Sequence, residues 1–213
     1  MASLLDALLV LVLVVNLYAL GTSRIAVVIR LVAIQGLVLG ALPLLAHHTI
    51  SLEAVVISVA AVALKGVIIP VLLYRALREV ERREVEPLIS TGASMLLGGL
   101  GAALALAFTG NLPLTVGDAH HLVVPAALAT VLTGFILLTT RLKAISQVLG
   151  YLVLENGIFI FGLVLVDAIP LIVEIGALLD LVVAIFVMGI MLTHIRREFA
   201  STDTRALSAL KEE

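Results

Sequence analysis

The chain has 213 residues, 62% of them hydrophobic and 13% charged, with a formal net charge of −2 and no cysteine. That charge content is about half of what a water-soluble domain carries, which excludes a soluble fold and predicts an all-α integral membrane bundle. The missing thiols also exclude disulfides and any thiolate-held metal or iron–sulfur cluster on this chain.

Seven apolar runs have about the length that crosses a bilayer as a helix. They lie at roughly 3–21, 25–46, 53–75, 89–109, 122–140, 147–166 and 170–194. Residues 1–23 hold no Lys or Arg, so the first run lacks the basic start of a cleaved leader and is expected to be retained. The third run continues into ALREVERREVEP, where Glu79/Arg83 and Arg82/Glu86 stand four apart. This predicts a solvated helical extension, with Pro87 opening the fourth span. Pro70, inside the third run, predicts a kink there. In the fourth, Gly98, Gly99 and Gly101 give the small-residue spacing that permits close helix packing. After Arg197 comes a polar tail, with Asp203 placed to start a short helix. The organisation is therefore one transmembrane domain over 1–197 and a cytoplasmic tail over 198–213.

Connections after the odd-numbered runs hold Arg24; Arg75, Arg78, Arg82 and Arg83; Arg141 and Lys143; and Arg196 and Arg197. Those after the even-numbered runs hold no Lys or Arg, but His47, His48, Asp118, His120, His121 and Asp167. The positive-inside rule then puts the N-terminus outside and the C-terminus in the cytoplasm. The two histidine pairs read as solvated loop residues.

Ionisable groups deep in a bilayer cost about 2.5–3.5 kcal/mol each on the insertion scale, so each requires a reason. Lys65, Glu155 and Asp180 fall near mid-span on three different helices; Glu174 lies nearer the outer surface and Arg30 nearer the inner one. Arg30, Gln35, Asn16 and Asn156 add polarity to the same interior. Arg30 and Glu174 are placed to snorkel, whereas Lys65, Glu155 and Asp180 are too deep for that. Two readings stand for the deep three: a structural ion pair, or a proton relay in which burial penalises every charged form and so eases proton exchange. The corners Thr22–Ser23–Arg24 and Thr139–Thr140–Arg141 also suggest a parallel repeat, units 1–75 and 122–197 joined by the helix at 89–109. In that repeat Gln35 mirrors Glu155 and Lys65 mirrors Asp180.

Gly150–Tyr151, Glu155–Asn156–Gly157, the Val-Glu-Ile-Gly run at 173–176 followed by Asp180, the Lys65–Pro70 spacing and the tail at 203–211 together resemble component E of hydrogenase-4, the membrane subunit of formate-hydrogenlyase-type complexes. Spans five to seven are also similar to subunit K of bacterial complex I and to the C component of the Mrp antiporters. The resemblance implies a non-catalytic subunit of the inner (cytoplasmic) membrane, with antiporter-like and complex-I-like membrane neighbours. Cofactors would sit in partner subunits, as iron–sulfur clusters and a nickel–iron centre. It also implies a role in moving protons or sodium, with Glu155 matching the first of two embedded glutamates of subunit K and Asp180 standing near the second. Other function classes stay open: an antiporter subunit or a stand-alone secondary transporter. A photoactive seven-helix protein is disfavoured, because a chain with no Trp, three Tyr and six Phe is poor material for a chromophore pocket.

Overall fold

The computed structural model describes residues 2–46, 52–78, 88–109, 122–165 and 189. Among these the elements are helical: α1 (Ala2–Gly21), α2 (Ile25–Ala46), α3 (Leu52–Ala61), a π-helical segment (Val62–Ile68), α4 (Ile69–Arg78), α5 (Thr91–Thr109), α6 (Val123–Thr140) and α7 (Ala144–Leu165). α3, the π segment and α4 run on as one rod. The described residues thus supply six helices long and apolar enough to cross a membrane. They match the first six expected spans to within about three residues. The seventh span, the tail, the charged stretch at 79–87 and the four loop histidines lie outside the described residues.

Helices are the form such a sequence must take in lipid, because every backbone N–H and C=O has to be satisfied within the segment. Polar residues mark the ends. Thr22 accepts the Arg24 N–H at 3.3 Å on its Oγ1 at the α1–α2 corner. The fourth span opens on Ser90, not on Pro87: the Ser90 hydroxyl oxygen accepts the Ala93 N–H at 3.2 Å, meeting an otherwise orphaned donor. The Leu88 N–H donates to Thr140 O at 2.9 Å, tying the start of this segment to the end of α6.

Around Pro70, where a kink is expected, the rod widens into the π segment just before the proline. Pro70 carries no N–H, so it gives no bond to the carbonyls four and five residues upstream. The Ile69 N–H reaches back five residues to Leu64 O. Lys65 lies inside this widened stretch.

α2 is the hub, packed against α1, the α3–π–α4 rod and α7, while α6 and α7 form the most intimate pair. Glycines set the close approaches. At Gly134 a Cβ would collide with the backbone of Leu154; at Gly150 it would lie 2.5 Å from Leu138 N, and at Gly157 2.6 Å from Val131 N. Gly36 does the same for the rod, where a Cβ would lie 2.6 Å from the Lys65 carbonyl carbon. In α5, Gly98 and Gly101 face Leu20 and Leu132, whereas Gly99 faces open space.

Two apolar cores stack along the bundle. One gathers Leu5, Leu9, Leu39, Ala127 and Ile160; the other gathers Leu20, Ile29, Leu73, Leu137 and Leu149. The outer surface is apolar as well: Leu96, Leu100, Leu104 and Phe108 of α5 are exposed, as lipid-facing side chains would be. The molecule is a membrane protein.

Candidate functional site

Between the two cores lies a layer of polar side chains. Asn16 from α1, Gln35 from α2, Lys65 from the π segment, Thr130 from α6 and Glu155 and Asn156 from α7 are all buried there. Lys65 is 4% exposed and Glu155 1%. Their side chains meet in a direct ion pair, Lys65 Nζ on Glu155 Oε1. Asn156 Oδ1 lies 3.5 Å from the same nitrogen, and the Phe159 ring centroid 5.1 Å from it. A carboxylate, an amide oxygen and an aromatic face thus surround the ammonium.

From Asn156 a string of amides crosses the bundle. Asn156 Nδ2 donates to Gln35 Oε1 at 3.2 Å, Gln35 Nε2 to Asn16 Oδ1 at 2.6 Å, and Asn16 Nδ2 to Thr130 Oγ1 at 2.8 Å. Thr130 in turn donates its own hydrogen to Ala126 O at 2.6 Å. That last bond fixes the direction of the string. With its hydrogen committed to the helix, Thr130 can only accept from Asn16. Each amide must then accept from the next, which leaves the Asn156 carbonyl oxygen turned to Lys65.

The structure therefore brings together Lys65, Glu155, Asn156, Gln35 and Asn16 of the residues expected from sequence, and adds Thr130. It does not bring in Arg30, which is exposed; its Nε donates to the Tyr74 hydroxyl at 3.0 Å, and that hydroxyl donates to Ala26 O at 3.0 Å. Asp180 and Glu174 lie outside the described residues.

Chemically, the site holds one acid and one base in contact, in a region without bulk water. Such a pair can exchange a proton, whereas the amides can orient it but are poor proton carriers themselves. The fold and the site together define a polytopic membrane protein with an ionisable layer at mid-depth.

No protein-family model matches the chain, and no solved structure matches it. The chain belongs to the same family as Uncharacterized protein Rv0085 of Mycobacterium tuberculosis (strain ATCC 25618 / H37Rv). The two are 36% identical over 188 residues, 87% of this chain and 86% of that protein. It is also 29% identical to Hydrogenase-4 component E of Escherichia coli (strain K12) and of Shigella flexneri, over 157 residues and 72% of each chain.

Proposed function

We propose that this chain is a non-catalytic membrane subunit of a hydrogenase-type, complex-I-like assembly. In this reading it carries part of a proton (or sodium) path driven by electron transfer in partner subunits. The observation that carries the reading is the Lys65–Glu155 pair, buried between two apolar cores and held by side chains from four helices. Buried ionisable groups are costly in a membrane, and proton relays are among their commonest uses. The likeness to Hydrogenase-4 component E supports membership of a multisubunit complex. The iron–sulfur clusters and nickel–iron centre belong to the partners. Asp180 and Glu174 are proposed to extend the path on the seventh span. The membrane is the inner one, with the N-terminus outside and the arginine-bearing corners in the cytoplasm.

Co-purification tests the assembly. The tagged chain, extracted in mild detergent, brings down hydrogenase-like large subunits, iron–sulfur subunits and antiporter-like membrane subunits, identified by mass spectrometry. Antiporter-like partners alone would mean a redox-free cation exchanger. A lone chain, stable by itself, would mean a secondary transporter.

A further inference from the structure

Arg141, at the corner between α6 and α7, is a second buried cation, 2% exposed. Its Nη2 donates to Leu20 O at 3.1 Å, near the C-terminal end of α1, where the helix carbonyls carry partial negative charge. Its Nη1 is buried and has no hydrogen-bond partner among the described residues. The buried carboxylate among them, Glu155, is already paired with Lys65. Burial lowers the pKa of Arg141 from the usual guanidinium value, but an arginine stays charged in a protein. Ser146, in the first turn of α7, is also buried, and its hydroxyl has no partner among the described residues.

Both residues that carry the unpartnered groups line one cavity of about 10 Å³, together with Thr22, Ile25 and Leu149. Thr22 uses its oxygen to accept the Arg24 N–H, which leaves its hydroxyl hydrogen to give. Three residues with hydrogen to donate, one of them fully charged, thus line room for about one water-sized particle. A phosphate or sulfate is far larger than that space, whereas a monatomic anion is only somewhat larger than a water and needs a small shift of the flexible Arg141 side chain. A water would fill it but leave the buried guanidinium without a counter-charge among the described residues, the costly arrangement for a charge out of solvent.

We propose that this corner binds a single monatomic anion, chloride being the ordinary cellular example, held by Arg141, Ser146 and Thr22. The ion would join the α1–α2 corner to the α6–α7 corner. This site is independent of the ion-pair layer and of the reading given to it.

The test is the thermal midpoint of the full-length chain in lipid nanodiscs at constant ionic strength, with gluconate, chloride, bromide or sulfate as the anion. Chloride and bromide are expected to raise the midpoint by several degrees over gluconate, and sulfate to give no rise. The halide response disappears in Arg141→Gln and shrinks in Ser146→Ala, which removes only a hydroxyl and serves if the arginine variant does not fold. A wild-type midpoint indifferent to halide would mean that the cavity holds water, and would overturn the proposal. So would a halide response unchanged in Ser146→Ala and Thr22→Val.

Discussion

Lys65→Met is expected to destabilise the protein by about 3–5 kcal/mol, the cost of leaving one member of a buried ion pair without the other. Glu155 is 1% exposed, on a helix wedged against α2 and α6, so a stranded carboxylate has little access to water. Asn156 would lose the cation its oxygen faces, and the amide string its end point. Removing both charges is much less costly than removing one, because apolar side chains of similar volume often replace a buried pair with little loss. Lys65→Met combined with Glu155→Leu is therefore expected to recover most of the lost stability. Unfolding of the four proteins of this cycle in one detergent gives the coupling energy directly. A single Lys65→Met variant within about 1 kcal/mol of wild type would show that the pair does not form.

Gly134→Ala is the second large effect, with an expected loss of about 1–3 kcal/mol and at the upper end of that range. The added methyl would meet backbone, with Leu154 Cα 2.5 Å away, and backbone cannot swing aside as a side chain can. α6 and α7 would have to separate, which would also move Thr130 away from Asn16 and carry Glu155 away from Lys65. Gly99→Ala on α5 is the control. It has open space around it and is expected to be neutral, or to stabilise by up to about 1 kcal/mol through helix propensity alone. Equal losses at both positions in thermal unfolding would remove the close α6–α7 packing from the account.

The membrane class and the first six spans are legible in the sequence because hydropathy responds to a single solvent, the bilayer, and needs no knowledge of partners. Lys65, Glu155, Asn156 and Gln35 stand out for the same reason, as polar groups inside apolar runs. Their pairing is not legible. Position along a helix gives depth but not the direction a side chain faces, and the π segment around Lys65 shifts that direction further. Arg30 shows the limit: it counts among the polar groups of these runs, yet it is exposed and bonds to Tyr74 instead of joining the layer, as its place near the inner edge allows.

Thr130 gives no signal, since a threonine in a membrane helix routinely satisfies itself on the carbonyl four residues back. That ordinary bond is what makes it the anchor of the amide string. Arg141 reads only as a marker of the cytoplasmic side, because burial at a helix corner leaves no trace in hydropathy. Among the glycines, the cluster in α5 draws notice, whereas the closest packing uses the scattered Gly134, Gly150 and Gly157. The seven-residue spacing of Gly150 and Gly157, two helical turns on one face, is the available clue.

The most direct test of the proposed role is proton movement in vesicles containing the co-purified assembly, with Glu155→Gln set against wild type. The substitution keeps the side-chain shape and one oxygen that can accept from Lys65, but removes the charge and the titratable group. The account predicts an intact assembly whose proton movement falls by about 100-fold, the scale of losing a positioned proton-transfer group. Undiminished proton movement in that variant, with the assembly intact, would contradict it and leave Lys65–Glu155 as a structural pair.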